Sequence, residues 1–280
     1  MPSPHICIDL FRISNENNQF QRINAENLKL GFSRLRMHLK TNVDVRGYLL
    51  EISCSLHVLK HVVTIYLDMK IGIIGAGDVG GTLGKRWKQK KHEIMFGVRN
   101  LQSQNVNKLI QVDQSLKFGD IREAVAYGDV IVFAIPWTSI EETIIIAGNL
   151  SGKIVIDPTN PVTPDLKGLA LDNTSVAEKI AKLANTDKVV KAFNTIGAMT
   201  LNNVIFDSNR ADLFICGNDS HAKRVVKELA IDIGFDVVDV GPLVNARMLE
   251  HLALLWIELA FRQKLGPNIA FKLLRRKADF

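Results

Sequence analysis

The chain has 280 residues, of which 47% are hydrophobic and 23% are charged, a balance typical of a globular protein with one large or two modest domains. Its net charge of +6 comes from Lys and Arg residues spread along the sequence, so we expect no nucleic-acid partner, and an anionic cofactor would suit the mild positive balance equally well. Three cysteines without CxxC or zinc spacing, and no clean apolar run of about 20 residues, predict a cytoplasmic protein without a structural metal, an export signal or a membrane partner.

Residues 1–68 show no sustained hydrophobic period. We therefore predict an N-terminal extension without an assigned fold. The lack of a pattern is compatible with a disordered segment. One interpretation is that the fold does not need this extension, which would then come from an early start codon. The alternative is a regulatory or targeting segment.

From Met69 onward the pattern becomes regular, with short Val- and Ile-rich runs that alternate with longer amphipathic segments. Such alternation is typical of repeated strand–helix units and of a parallel sheet covered on both faces. We predict one domain over 69–280, an α/β Rossmann-type doubly wound and mostly parallel sheet with a small C-terminal extension of the sheet and a long final helix. The predicted strands are 70–74, 93–98, 116–118, 130–135, 153–157, 188–192, 211–216 and 236–240. The predicted helices are 79–90, 121–127, 139–147, 174–184, 220–233 and 245–263.

The first predicted strand runs directly into the sequence GAGDVG at 75–80 and then into a helix. Gly75 permits a tight turn, Gly77 lets the backbone approach a pyrophosphate, and Gly80 lets the helix lie close to the strand. The helix amino terminus adds free N–H groups and a partial positive charge. Alone, the glycine pattern can be a purely structural turn, but the strand–turn–helix context favours dinucleotide binding. The predicted cofactor-binding residues of this motif are Gly75, Ala76, Gly77, Asp78, Val79 and Gly80.

The end of the second predicted strand indicates which dinucleotide binds. NAD sites place an acidic residue about 20 residues after the glycines, whereas NADP sites offer Arg to the added phosphate. Here the strand ends in Arg99 and Asn100, with no acid. A guanidinium can donate two charge-assisted hydrogen bonds to a phosphate, so we predict NADP as the cofactor, with Arg99 and Asn100 in contact with it. The alternative is that Arg99 is a solvated loop residue.

Three further loops follow predicted strands at the same edge of the sheet, where open α/β folds bind their ligands. The first contains Ala134, Ile135, Pro136 and Trp137, which we predict to contact the cofactor, although Trp137 could instead belong to the core beneath the loop. The other two contain the predicted substrate-binding residues Asn160, Asn194 and Thr195. Loops of this composition can also be simple turns and helix caps.

These motifs together resemble the coenzyme F420-dependent NADP oxidoreductases, and they are similar to the NADPH-binding domain of the STEAP-type metalloreductases. The likeness extends from Met69 to about Arg276. The motifs that carry it are GAGDVG, Val98-Arg99-Asn100, Ile135-Pro136-Trp137, the segment 157–161, KAFNT at 191–195 and GPLVNAR at 241–247.

The resemblance implies an NADPH-dependent oxidoreductase that transfers hydride between NADP(H) and the deazaflavin coenzyme F420 or a similar flavin-like acceptor, on a fold that commonly forms a homodimer. It also implies that Gly75–Val79 and Arg99 hold NADP, that Ile135–Trp137 border the nicotinamide, and that Asn160 and Asn194 approach the deazaflavin. Hydride transfer between two rings needs little acid–base help, so we predict no catalytic side chain. Glu250 and His251 lie on the last predicted helix, where an isolated His is more often structural than catalytic, and we assign neither an acid–base role.

Other functions share the same nucleotide-binding first half. A β-hydroxyacid-type dehydrogenase also needs a large helical second domain, and the roughly 40 residues that follow Val240 are too few for one. An NADPH-dependent ferric or flavin reductase remains an alternative. A module that senses NADPH, or presents it to a partner without turnover, is another.

Overall fold

The computed structural model describes residues 68–276. The predicted extension at 1–68 therefore lies almost entirely outside the described residues, and so do the last four residues of the chain. Within 68–276, no helix is long and apolar enough to cross a membrane.

An eight-stranded sheet organises the described part of the chain, in the order β10-β9-β6-β5-β4-β1-β2-β3. All neighbouring strands are parallel except β6 and β9, which are antiparallel. The strand order reverses between β1 and β4, so this is the point at which crossovers leave in opposite directions and open a crevice. The strands of the sheet are β1 (Lys70–Ile74), β2 (Glu93–Gly97), β3 (Lys117–Gly119), β4 (Val130–Phe133), β5 (Ile154–Asp157), β6 (Val189–Lys191), β9 (Asp212–Gly217) and β10 (Asp236–Asp239). A separate small hairpin is formed by β7 (Ile205–Phe206) and β8 (Asn209–Arg210).

Helices cover both faces of the sheet. They are α1 (Asp78–Gln89), α2 (Gln104–Val112), α3 (Ile121–Tyr127), α4 (Ile140–Ala147), α5 (Val176–Leu183), α6 (Ser220–Asp232) and α7 (Ala246–Ile257). Apolar side chains of α1, α2 and α6 form one core with the sheet, and those of α3, α4, α5 and α7 form a second core on the opposite face. The central strands are apolar on both sides for this reason, and β4 and β5 are buried at every position.

The predicted fold class is confirmed, and all eight predicted strands belong to the sheet. The sequence analysis did not predict α2, which buries Val106 and Leu109. The final helix begins at Ala246 and ends as regular helix at Ile257, and a five-residue π-helical turn over Glu258–Arg262 completes the predicted length. The short C-terminal extension of the sheet is the pair β9 and β10.

Candidate functional site

The glycine turn, residues 75–80, connects β1 to α1 at the reversal point of the sheet. Gly75 has φ of +105°, a left-handed conformation that side chains rarely adopt, and its N–H donates to the Gly97 carbonyl oxygen at the end of β2 (2.9 Å). A Cβ atom at Gly75 would lie 2.3 Å from the Ala134 carbonyl oxygen. The turn is therefore packed tightly against the ends of β2 and β4.

The other two glycines of the turn have different surroundings. A Cβ atom at Gly80 would lie 2.3 Å from the Gly75 carbonyl oxygen, because α1 packs directly on its own turn. At Gly77, by contrast, a Cβ atom would meet no described heavy atom within 4 Å. Gly75 and Gly80 are thus required by the fold itself. Gly77 leaves open space in front of the backbone.

The amino terminus of α1 also differs from those of most other helices. Side-chain oxygens cap α2, α3, α5 and α6, whereas α1 begins after Gly77 without a side-chain cap. The Gly81 N–H donates to the Gly77 carbonyl oxygen (2.7 Å), so the first N–H groups of the helix, at Asp78, Val79 and Gly80, remain available to an anion. The Asp78 side chain is exposed.

Arg99 lies just beyond β2, with its side chain 56% exposed. Its Nη2 donates to Glu142 Oε2 on α4 at 2.7 Å. The neighbouring Asn100 is also exposed, and its Oδ1 accepts a hydrogen bond from the Gln102 N–H (2.8 Å), which shapes the turn after the strand. Arg99 is therefore a surface residue that reaches towards the helix after β4.

The loop after β4 begins with Ala134, whose carbonyl and methyl groups contact the glycine turn. Ile135 and Trp137 are half-buried and pack against the core on the α3–α4 face, while Pro136 is exposed. A short 3-10 turn over Trp137–Ser139 then leads into α4. The two interpretations of Trp137 are compatible in this position, because one side of the residue packs on the core and part of it remains accessible.

The three predicted substrate-binding residues lie in two loops that bond to each other. Asn160 Nδ2 donates to the Asn194 carbonyl oxygen (2.8 Å), and Asn194 Nδ2 donates to Asn160 Oδ1 (2.9 Å) and to the Leu249 carbonyl oxygen (3.0 Å). Asn160 is half-buried, whereas Asn194 and Thr195 are only 4% and 3% exposed. Among the described residues, no hydrogen-bond partner is found for Asn194 Oδ1 or Thr195 Oγ1. The pairing joins the ends of β5 and β6, and it leaves two buried polar oxygens unused.

The turn after β6 is held by aromatic packing. Phe193 has φ of +64°, which costs a bulky residue about 1–3 kcal/mol. Its ring packs edge-on against Trp87 (centroids 5.6 Å apart) and Phe235 (6.1 Å) in the core. This packing fixes the turn that directs Asn194 towards Asn160.

Beneath these loops lies a buried triad of charged side chains, Asp157, Lys191 and Glu250, none of which is more than 1% exposed. Lys191 Nζ donates to Asp157 Oδ2 (2.8 Å), to Glu250 Oε1 (2.7 Å) and to the Thr159 carbonyl oxygen (2.6 Å). One ammonium group thus joins the ends of β5 and β6 to α7.

The triad has one more carboxylate than it has cations. Burial raises the pKa of Glu250, and the nearby Lys191 opposes that shift without overcoming it. The carboxylate of Asp157 also accepts from the N–H (2.9 Å) and hydroxyl (2.7 Å) of Thr159. Glu250 accepts one further bond, from the Val176 N–H at the start of α5 (2.9 Å). These bonds satisfy charges that would be costly if unpaired.

The sequence analysis did not assign the triad as a unit. It placed Asp157 and Lys191 inside motifs and assigned no acid–base role to Glu250. The available signal was a charged residue inside an apolar run, since Lys191 directly follows Val189 and Val190. The sequence does not show which acidic side chains pair with it. Cys216, the one cysteine among the described residues, is buried, and burial raises the pKa of its thiol to about 12, so it is not a reactive thiolate.

Comparison with known proteins gives consistent results. The family model described as NADP oxidoreductase coenzyme F420-dependent matches residues 70–161, which include the glycine turn, Arg99 and Trp137. The F420-dependent NADP reductase of Methanothermobacter thermautotrophicus is 30% identical over 212 residues, which cover 70% of this chain and 91% of that protein. The metalloreductase STEAP3 of Rattus norvegicus is 34% identical over 185 residues, or 66% of this chain. The chain spans only 36% of the length of that metalloreductase.

Among solved structures, a putative F420-dependent NADP reductase from Arthrobacter sp. FB24 superposes with a TM-score of 0.68 and 27% identity, covering 74% of this chain and all of that one. The similarity to the methanogen reductase extends over nearly its full length and well beyond the glycine motif. The chain belongs to the coenzyme F420-dependent NADP oxidoreductase family.

Proposed function

We propose that this protein is an NADPH-dependent oxidoreductase that transfers hydride between NADP(H) and coenzyme F420 or another flavin-like acceptor. The observation that carries the proposal is the combination of an uncapped α1 with open space in front of Gly77. A pyrophosphate can approach the backbone there and accept hydrogen bonds from the first N–H groups of α1, which no side chain caps. Family membership supplies the redox chemistry that this geometry alone does not specify.

In this proposal the 2′-phosphate of NADP binds Arg99. The residue follows β2, and the Gly75 N–H is bonded to the Gly97 carbonyl oxygen two positions earlier, so Arg99 belongs to the same edge as the glycine turn. The guanidinium is exposed and can turn towards a phosphate. The turn made by Asn100 lies directly after it and shapes the surface for the adenosine end.

The hydride-transfer end lies beside Ala134–Trp137. Ile135 and Trp137 border the nicotinamide from the α4 side, and the rigid pair of Asn160 and Asn194 supports the acceptor from the β5–β6 side. The unused oxygens Asn194 Oδ1 and Thr195 Oγ1 support a polar ligand here, because buried acceptors usually find a donor. The bound nicotinamide and acceptor rings supply the redox chemistry, and the protein sets their distance and excludes water.

A second candidate is a ferric reductase. This possibility is favoured by the metalloreductase STEAP3, which aligns with 66% of this chain. Both candidates share the NADPH half of the site and differ in the acceptor. A module that binds NADPH without turnover is a third candidate, and it would be recognised by tight binding without oxidation.

The test is an anaerobic acceptor screen with the purified full chain. NADPH oxidation is followed at the nicotinamide absorbance band with F420, free flavin or ferric chelate, and the reverse reaction with reduced F420 and NADP. Turnover with F420 supports the proposal, and turnover with ferric chelate alone favours the second candidate. Tight NADPH binding without oxidation by any acceptor would show a binding module instead.

Gly77→Val tests the cofactor site itself. The larger side chain would occupy the space that the pyrophosphate needs, so NADPH binding should be lost while the circular dichroism spectrum is retained. Undiminished NADPH titration of this variant would contradict the assignment.

Arg99→Ala tests the choice of dinucleotide. Loss of a charged hydrogen bond to phosphate should weaken NADPH binding about tenfold or more and leave NADH binding nearly unchanged. Arg210→Ala, in the β7–β8 hairpin, is the matched control. Equal losses for both nucleotides in Arg99→Ala would show that Arg99 does not recognise the 2′-phosphate.

The proposed enzyme is a homodimer, as the resemblance implies. Val244, in the turn just before α7, and Met248 and Leu255, in α7, are 46%, 69% and 47% exposed and form a row of apolar groups. Light scattering should give twice the monomer mass, and Met248→Glu should give the monomer. A monomeric wild-type protein at micromolar concentration would refute the dimer.

A further inference from the structure

The ion pair between Arg99 and Glu142 joins two elements on either side of the glycine turn. Arg99 follows β2, and Glu142 lies in the first turn of α4, after β4. In the sheet, β1 lies between β2 and β4. The bond of 2.7 Å therefore extends across the carboxyl end of β1, where the glycine turn begins.

The Glu142 carboxylate is therefore bonded to the Arg99 guanidinium, the same group that binds the 2′-phosphate in the proposed function. Glu142 is 65% exposed and Arg99 56%, so the pair is solvated and contributes little to folding stability. A phosphate that binds Arg99 must replace this carboxylate or share the guanidinium with it. Sharing brings two anions close together, and replacement requires the existing bond to break.

We propose that Glu142 is a specificity-determining residue that competes with the 2′-phosphate for Arg99 and so reduces the preference for NADP(H) over NAD(H). The inference rests on the proposed function. NAD(H) has a hydroxyl group in place of the phosphate, so its binding leaves the Arg99–Glu142 pair intact. Glu142 thus weakens NADP(H) binding selectively.

Glu141 provides a matched control. It is the preceding residue, it is exposed, and it lies in the same first turn of α4. Removing either carboxylate has the same effect on the helix dipole and on the net charge of the protein. Within the described chain, the Arg99 guanidinium is bonded to Glu142, so Glu142→Gln is the variant that frees it.

The experiment measures the dissociation constants of NADPH and NADH for the full-length wild type, Glu142→Gln and Glu141→Gln at low salt. Glu142→Gln should bind NADPH about two- to fivefold more tightly and NADH with unchanged affinity, the size expected from an exposed ion pair. Glu141→Gln should change both affinities equally and slightly. The fragments 2′,5′-ADP and ADP should show the same contrast, because they differ in the 2′-phosphate alone.

The double variant Arg99→Ala/Glu142→Gln should bind NADPH as weakly as Arg99→Ala, since the proposed effect requires the guanidinium. An unchanged or reduced ratio of NADPH to NADH affinity in Glu142→Gln overturns the inference, and so does the same ratio change in Glu141→Gln. If Glu142→Gln fails in either way while Arg99→Ala still weakens NADPH binding selectively, the proposed function stands and only this inference fails. If the wild type binds neither NADPH nor 2′,5′-ADP, both fail together.

Discussion

The glycine turn and the buried triad lie at the same edge of one sheet, yet they are built in different ways. The turn is made of backbone, with an exposed arginine nearby, and its geometry comes from residues adjacent in sequence. The triad consists of three charged side chains that are nearly inaccessible, and Lys191 is 34 residues from Asp157 and 59 from Glu250. In the glycine turn, the first N–H groups of α1 have no side-chain cap and remain open to a ligand. A region that must hold loops in place pairs its polar groups internally.

The largest expected effect is the loss of Lys191. Lys191→Met would leave two buried carboxylates without a cation, so the free energy of unfolding should fall by about 3–5 kcal/mol. Urea denaturation measures the change. Lys179→Met, at an exposed position of α5, is the control and should alter stability by less than about 0.5 kcal/mol. Wild-type stability in Lys191→Met would show that the triad does not hold these elements together.

A pair of alanine substitutions separates folding from binding within the glycine turn. Gly80→Ala forces a methyl group against the Gly75 carbonyl oxygen, and it should cost about 1–3 kcal/mol of stability. Gly77→Ala meets open space, so the unfolding free energy should remain near that of the wild type while NADPH binding weakens. Parallel urea denaturation and NADPH titration test both statements. Equal destabilisation by the two variants would remove the distinction between the glycines.

A smaller effect is expected in the pH dependence of stability. Burial raises the pKa of Glu250 in the folded protein, so the folded state holds this proton more tightly than the unfolded state does. The resulting stabilisation is present below the ordinary glutamate pKa and is lost as pH rises through the folded pKa. Glu250→Gln should therefore lose less stability than the wild type as pH rises above the ordinary glutamate pKa.

Glu178→Gln is the control with the opposite sign. Burial opposes ionisation of Glu178, but hydrogen bonds from Arg247 and Ser175 lower its pKa overall. Its contribution to stability is thus present above the ordinary glutamate pKa and is lost as pH falls. Thermal or urea unfolding at several pH values would distinguish the two residues. Identical pH profiles for Glu250→Gln and wild type would contradict a raised pKa.

The smallest expected effect concerns residues 1–68. Because both the glycine turn and the triad are formed by residues after Met69, we propose that 69–280 is a complete NADP-binding domain. A chain that begins at Met69 should bind NADPH with unchanged affinity, as measured by fluorescence titration. Loss of folded protein on this deletion would show that the first 68 residues are part of the domain.

Local patterns were sufficient for most of the fold. The buried strands β1, β4 and β5 are short apolar runs separated by amphipathic segments, so they could be located from the sequence alone. The helix α2 was not predicted, although Val106, Leu109 and Ile110 lie at helical spacings of three and four. The antiparallel direction of β9 also escaped prediction, because an apolar run does not reveal which way its neighbour runs.

The two halves of the candidate site differ in the same respect. The glycine turn could be predicted with its geometry, because Gly75, Gly77 and Gly80 act through the backbone of one continuous segment. The partner of Arg99 could not, since Glu142 reaches it only after β1 and β4 have paired. Asn160 and Asn194 were predicted on loops at the same edge of the sheet, but their mutual hydrogen bonds depend on the parallel pairing of β5 and β6, which the sequence did not show.

By itself, the sequence determined the alternation of strands and helices, the position of the dinucleotide-type turn and the absence of an acid after β2. These features are local, since they depend on hydrophobic period and on the conformational freedom of glycine. Only the tertiary structure decided that Lys191 forms ion pairs with both Asp157 and Glu250, and that Arg99 forms an ion pair with Glu142. Such pairings depend on which distant segments are brought within about 3 Å of each other, and the hydrophobic burial that brings them together is non-directional and does not specify polar partners.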